Sequence, residues 1–323
     1  MAPENSLTFP VLSPDLQVSF FYRLQSIRGL FLNQALRETL DRVDLRTVDG
    51  ELNRIVAKAP LKKVAKFGIR GEVVFALPCV LRTNPYLLAY YRLLLGFSQK
   101  EFYTKGPFGR FKKMEDSGEI TVRTDPLVPA LCKSMVLSAE SLVQKVDALS
   151  LDTLHELQLL TLGPQLRGGE NTKLGQKATA ELYDIILSTV RPYVKEATKR
   201  TIIIENESHR TVLIEFASDP DVRVVENLAS GIRPLVSIEV KGGTDASNIH
   251  NRLGEAEKSH QKARGRGCFE FWTIIRVEMD PALAKRESPT TSRFFNLDQL
   301  AHATSPDGRV FREMLASIMG IRL

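Results

Sequence analysis

Residues 234–243 read PLVSIEVKGG. An apolar, β-branched run carries Glu239 and Lys241 two positions apart and ends on a glycine pair. Successive strand side chains alternate between faces, so Glu239 and Lys241 project together while Ile238 and Val240 point the other way. An acid and an amine sharing one face of such a strand need solvent or a partner.

The surrounding sequence places this strand in a mixed fold. Thr211 to Phe216 (TVLIEF) and Asp221 to Glu226 (DVRVVE) are short β-branched runs bounded by turn residues. Ala178 to Val190 has helical texture before them. A second helix is expected from Ser247 to about Ala263, followed by a strand over Phe269 to Val277 (FEFWTIIRV). The expected order is helix, three strands, helix, strand, an α+β arrangement.

Asp221 follows Pro220, and the chain turns back near Ser230-Gly231. Antiparallel pairing that sets Val225 opposite Leu235 and Arg223 opposite Ser237 sets Asp221 opposite Glu239. Cross-strand neighbours lie ~4.5–5.5 Å apart, and two carboxylates at that range repel unless a cation sits between them. Mg2+ takes one or two carboxylates and shares the rest of its shell with water and phosphate. Asp221 and Glu239 are therefore the candidate metal ligands, the Val240 carbonyl a third, and Lys241 faces the phosphate or the attacking water. The alternative is an exposed hairpin bearing a surface ion pair.

The first half of the chain reads helical. Val18, Phe21, Leu24, Ile27, Leu30 and Phe31 fall at helical spacing in one run from Leu16, and further periodic runs cover Tyr86 to Gly96, Leu127 to Leu149 and Leu151 to Leu160. Four glycines and a proline across Gly163 to Gly175 predict a break in regular structure, and so a boundary between residues 1–165 and 166–323. Past Pro281 a loop and a helix near Arg309 to Met319 are expected.

Bulk properties narrow the function classes. The 323 residues are 43% hydrophobic and 25% charged, an ordinary globular balance, with no window of ~18 uncharged apolar residues for a membrane span. The first residues lack a basic segment followed by an apolar one, so no secretory signal is expected. Three distant cysteines without a CxxC argue against a disulfide framework or structural zinc and fit a reducing cytoplasm. A formal charge of +6 favours acidic partners such as nucleic acid, though a plain basic surface reads the same way. No P-loop, HExxH or GxSxG motif is present.

Asp221, Glu239 and Lys241 resemble the acidic pair and lysine of the PD-(D/E)xK nuclease superfamily. More narrowly, VSIEVKGGTDASNIHNRLGEAEKSHQKARGRG and NPYLLAYYRLLLGFSQKEFYTKGPFG look like the XcyI family of type II restriction endonucleases. The resemblance implies an αβββαβ restriction-endonuclease-like core flanked by helices, with an amino-terminal helical region serving DNA binding and dimerisation. It also implies Mg2+-dependent cleavage of double-stranded DNA at CCCGGG by a homodimer. A cognate DNA methyltransferase would be the system partner without a stable complex, and no membrane is involved.

Glu181, in the helix before the sheet, is a further candidate catalytic carboxylate or a solvated helix residue. Ile249, Leu253, Ala256, His260 and Ala263 form one helical stripe, so His260 reads as a packed histidine before it reads as a base. Asn248, Arg252 and Lys258 fall on other faces within reach of DNA. Arg264 and Arg266 leave that helix where arginine can read guanine or grip phosphate. Arg167, Lys105 and Arg110 lie in basic, glycine-containing and expectedly flexible stretches that suit a phosphate backbone or plain solvent. Two other classes stay open: a non-catalytic DNA-binding protein on a degenerate nuclease fold, and a structure-specific repair or junction nuclease.

Overall fold

The computed structural model describes residues 13–245 and 248–323. Most of the stretch read for a secretory signal, and the expected helix start at Ser247, lie outside the described residues. The chain divides into two compact units, Met1–Gly168 and Gly169–Leu323.

The first unit is helical: α1 (Asp15–Phe31), α2 (Asn33–Leu40), α3 (Leu45–Ile55), α4 (Lys58–Lys66), α5 (Pro78–Thr83), α6 (Leu87–Leu94), α7 (Gln99–Thr104), α8 (Lys112–Ser117) and α9 (Val128–Lys145). The single run expected from Leu16 is two helices, because Leu32 adopts an extended conformation and drops into a small core with Ile27, Leu93 and Leu162. Local chemistry sets several ends. Asp44 caps α3 by accepting from the Arg46 and Thr47 amides, and Ser98 with Glu101 forms a capping box on α7. The KGPFG stretch expected to be flexible is a 3-10 segment, Gly106–Phe111, leading into α8, since Phe111 and Met114 are buried.

Segment Asp125–Lys145 is long and apolar enough to cross a membrane by length and composition alone, although it carries Lys133 and Glu140. One face of α9 instead fills the unit's core with Leu131, Cys132, Met135, Val136, Ala139 and Val143. The same core surrounds a buried ion pair, Arg92 with Glu115, to which Gln99 and Tyr103 also donate.

The expected break at Gly163 to Gly175 does not occur. A 40-residue helix, α10 (Leu151–Val190), runs through Gly163, Pro164, Gly168, Gly169 and Gly175. Each interior glycine costs ~1 kcal/mol against alanine and proline ~3 kcal/mol. Burial of Leu154 and Leu162 before them, and of Ala178, Leu182, Ile186 and Val190 after them, outweighs those local costs.

In the second unit seven strands form one mixed sheet in sequence order: β1 (Val194–Ala197), β2 (Thr201–Glu205), β3 (Thr211–Phe216), β4 (Val222–Leu228), β5 (Gly231–Lys241), β6 (Phe271–Ile275) and β7 (Arg293–Asn296). The first five pair antiparallel, and β6 and β7 add parallel. Strands β1, β2 and β7 were not expected; their runs of four or five residues lack the longer apolar flanks that mark β6. Helix α11 (Ile249–Gly265) links β5 to β6, α12 (Pro281–Glu287) links β6 to β7, and α13 (Leu297–Leu300) and α14 (Pro306–Met319) follow β7, so the expected carboxy-terminal loop contains two short helices and a strand.

The expected register holds at Arg223 opposite Ser237 but not at Val225, which faces Pro234. Leu235 is an extra residue there, a bulge that suits a proline lacking its ladder N–H. Val236 through Val240 are buried, so both faces of β5 are covered at the site. Gly242 makes this closeness feasible: a Cβ on it would lie 2.1 Å from the Ala178 Cβ of α10.

Candidate active site

Asp221 stands one residue before β4, where the ladder of Val222 opposite Ile238 and Arg223 opposite Ser237 continues toward Glu239. Its Oδ2 accepts a 2.8 Å hydrogen bond from the Val240 amide. Lys241 Nζ donates at 2.8 Å to Glu239 Oε2, and Ser259 Oγ, from α11, donates at 2.5 Å to Glu239 Oε1. Glu239 is only 4% exposed. The acid and the amine of the PLVSIEVKGG strand are thus partnered by one another, by α11 and by a second acid.

Electrostatics tie the three groups together. Burial, reinforced by the Glu239 charge, pushes the Asp221 carboxyl up to about 6, against the Val240 amide and Lys241 that favour its ionised form. Burial alone would lower the Lys241 ammonium, but Glu239 and Asp221 outweigh it and hold the group above its ordinary value. The proton on Lys241 is therefore firmly held, while the acidic pair carries more negative charge than one ammonium satisfies.

Ser259 has one hydroxyl proton and two carboxylate neighbours, Glu239 and, at 2.8 Å, Asp219 Oδ1. Lys262 Nζ donates to Asp219 Oδ2 at 2.8 Å. Hydrogen bonds from Lys262 and Ser259 hold the Asp219 carboxyl below its usual range. Asp219 is thus satisfied by α11 cations and hydroxyls, and Glu215 is paired with Arg223 across the ladder. Neither Ser259 nor Lys262 was singled out from the sequence, because their role depends on how α11 lies on β5.

Other sequence candidates fall in diverse places. The Glu181 carboxylate pairs with the Arg276 guanidinium and sits 4.0 Å from Lys177 Nζ, and among the described residues no hydrogen bond joins it to Asp221 or Glu239. His260 is fully buried, its Nε2 2.9 Å from Thr273 Oγ1, and burial drops its pKa to about 4, so it packs as a neutral ring. The expected α11 stripe of Ile249, Leu253, Ala256, His260 and Ala263 is buried. Cys268 and Trp272 are core residues.

Among the candidate DNA contacts, Arg252 Nη1 donates at 2.5 Å to the Gly243 carbonyl, and Asn248 accepts from Asn251. Lys258, Arg264 and Arg266 are exposed on or just after α11, with Arg264 over the Phe271 ring at 5.6 Å. Lys105, Arg110 and Arg167 are exposed on the other unit, Lys105 above the Phe97 ring at 4.8 Å and Arg167 within α10 rather than in a flexible loop.

Asp221 and Val240 line a cavity of about 1000 Å³ together with Tyr183 and Phe216. Among the described residues no group of three or more His, Cys, Asp or Glu side chains is placed to hold a metal. The two-carboxylate donor set of hard oxygens nonetheless fits Mg2+, which keeps several waters and asks for one or two carboxylates. The excess negative charge on the pair is the property such an ion would neutralise.

A helix-covered mixed sheet with a buried acidic pair and a lysine beside an open cavity is an α+β architecture consistent with the restriction-endonuclease-like fold. The chain belongs to the XcyI restriction endonuclease family, whose model matches residues 21–322, and is an enzyme of that type II class. It is 43% identical over 324 residues to the type II restriction enzyme Cfr9I of Citrobacter freundii, covering 98% of each chain. It is 41% identical over 328 residues to the type II restriction enzyme XcyI of Xanthomonas campestris pv. cyanopsidis, covering 99% of this chain and 98% of that one.

Proposed function

We propose that this protein makes sequence-specific double-strand cuts in DNA by Mg2+-dependent phosphodiester hydrolysis on a PD-(D/E)xK core. The site implied by the family resemblance is CCCGGG, cut by a homodimer whose two-fold axis matches the palindrome. Asp221, Glu239 and the Val240 carbonyl would hold Mg2+, which when bound supplies Lewis acidity toward the scissile phosphate. Lys241, held as an ammonium, cannot accept a proton; it donates hydrogen bonds that orient the attacking water and a phosphate oxygen. In-line attack forms a bond from water oxygen to phosphorus as the bond to the 3′ oxygen breaks. One water hydrogen ends on the 3′ hydroxyl, and the other strand end keeps a 5′ phosphate.

Residues 166–323 carry the chemistry in this reading, and residues 1–165 with Lys105 and Arg110 serve DNA binding and dimerisation. Arg167, Arg252, Lys258, Arg264, Arg266 and Asn248 contribute phosphate or base contacts. Glu181 is a supporting carboxylate whose partner, Arg276, must release it before it can act. A cognate DNA methyltransferase protects the host genome in the same cytoplasm.

The observation that carries the proposal is the convergence of Asp221, just before β4, with Glu239 and Lys241 of β5 into one partly buried cluster, of which Asp221 lines the cavity. Plasmid incubated with purified protein and Mg2+ tests it. Discrete fragments that vanish with chelator, with Asp221→Ala and with Lys241→Ala are expected. Wild-type cutting by either variant defeats the site assignment, and cleavage confined to forks or junctions defeats the restriction reading.

A further inference from the structure

We propose that the turn between β1 and β2 is a phosphate grip for the DNA backbone, with Lys199 and Arg200 as its two contacts. The proposal deepens the nuclease reading above and rests on it.

The turn is braced from three sides. Within it, the Thr198 amide donates to the Thr201 carbonyl at 2.8 Å, and Thr198 Oγ1 accepts from the Arg200 and Thr201 amides. From α10, the Tyr183 hydroxyl donates to the Thr198 carbonyl at 2.6 Å. From β3, the Phe216 amide donates to the Arg200 carbonyl at 2.8 Å. The backbone is held, and two long cationic side chains project from it into solvent. A fixed stem lowers the ordering cost of a phosphate contact.

These cations are also uncommitted. Among the described residues neither Lys199 nor Arg200 forms an ion pair, whereas Lys195 pairs with Glu205, Arg233 with Glu226 and Lys262 with Asp219. An unpaired cation gains the full counterion-release benefit of meeting a phosphate; a paired one must first give up a carboxylate.

Position supplies the third argument. Lys199 and Arg200 line the same cavity of about 1000 Å³ as Asp221, and Arg200 reaches a neighbouring cavity of about 400 Å³ with Asp219 and Arg266. Arg200 therefore lines both cavities, which also share Phe216 and Ala217. The charged side chains on the larger cavity's wall are Asp184, Asp221, Lys199 and Arg200. A divalent ion on Asp221 leaves that wall net positive, so a strand whose scissile phosphate sits at Asp221 lays neighbouring phosphates against the turn. Such contacts set register and carry no sequence information.

The test compares wild type with the double variant Lys199→Ala, Arg200→Ala, measuring duplex binding against salt with Ca2+ in place of Mg2+. One duplex contains CCCGGG and one is scrambled. Each lost phosphate contact lowers the salt slope by ~0.9, so between ~50 and ~200 mM salt wild type should lose about ten-fold more affinity than the variant, on both duplexes alike. The charge-keeping swap Lys199→Arg, Arg200→Lys should restore the slope, and Lys195→Ala should leave it unchanged. An unaltered slope in the double variant, with wild type binding and cutting normally, overturns the grip; so does a swap variant that melts like wild type yet keeps the reduced slope. Wild type that neither binds nor cuts either duplex would instead overturn the nuclease reading.

Discussion

Lys241 Nζ lies 2.8 Å from Glu239 Oε2, an ion pair between residues two apart on one strand. The charges of Glu239 and, more weakly, Asp221 hold its ammonium above the ordinary lysine range. The cation is part of the folded protein, so the acidic pair is compensated only in part, and the site retains an appetite for more positive charge.

Removing that ammonium separates its two roles. Lys241→Ala should cost ~10²–10³-fold in cleavage rate, the range for losing one preorganised hydrogen-bond donor at the reacting group. It should also destabilise the metal-free protein by leaving Glu239 buried with Ser259 as its remaining donor. Mg2+ should then raise the variant's melting temperature more than wild type's, because the ion no longer competes with the ammonium for Glu239 and binds the folded state more tightly. Thermal melts with and without Mg2+ measure this; equal shifts in both proteins contradict it.

Asp221→Asn should have opposite effects on activity and stability. The amide oxygen can still accept from the Val240 amide, while the charge that repels Glu239 is gone. Cleavage is lost, and the metal-free protein becomes more stable by ~1–2 kcal/mol, the usual trade at a functional site. Chemical denaturation in chelator checks the sign, and a less stable variant would refute it.

Asp221 and His260 pull the pH dependence of stability in opposite directions. The Asp221 carboxyl is raised from 3.8 to about 6, so its contribution is complete below ~4 and is lost as pH climbs through 6. His260 is lowered from 6.5 to about 4, so its contribution is complete above ~6.5 and is lost as pH falls toward 4. Asp221→Asn removes the first of these, so its stability advantage over the metal-free wild type should shrink as pH falls from about 6 toward 4, where wild-type Asp221 becomes protonated. Mg2+ affinity of wild type should rise with pH to about 6 and then flatten, as Asp221 sheds its proton to bind. Calorimetric titrations across pH 5–8 would show a flat affinity if the acid were not a ligand.

In the helical unit, Arg92 is fully buried against Glu115. Hydrogen bonds from Arg92, Gln99 and Tyr103 together overcome burial and keep the Glu115 carboxyl below its usual range. Arg92→Met should therefore cost about 3–5 kcal/mol, the price of a buried charge left without its partner. A loss below ~1 kcal/mol in urea denaturation would mean that Gln99 and Tyr103 suffice.

Legibility varied with element length. Strands of six or more residues, such as β3, β4 and β5, announce themselves by β-branched alternation, and the α11 stripe by its 3.6-residue period. β1, β2 and β7 do not, since their short runs carry few alternations, whereas the equally short β6 sits in a longer apolar run, FEFWTIIRV. The glycines and proline of α10 mislead for the opposite reason: their local cost is real, but burial on both sides exceeds it.

Residue order alone determined that an acid and an amine two apart must share a face of β5, because strand alternation is a covalent consequence of the pleat. It also placed Asp221 within one ladder of them, through turn position and the length of the returning strand. Only the tertiary structure decided that α11 delivers Ser259 to Glu239 and Lys262 to Asp219, that Glu181 is engaged by Arg276, and that Lys199 and Arg200 share a cavity with Asp221. Those contacts join residues tens of positions apart, and their existence depends on how helices lie against the sheet, which no local period encodes.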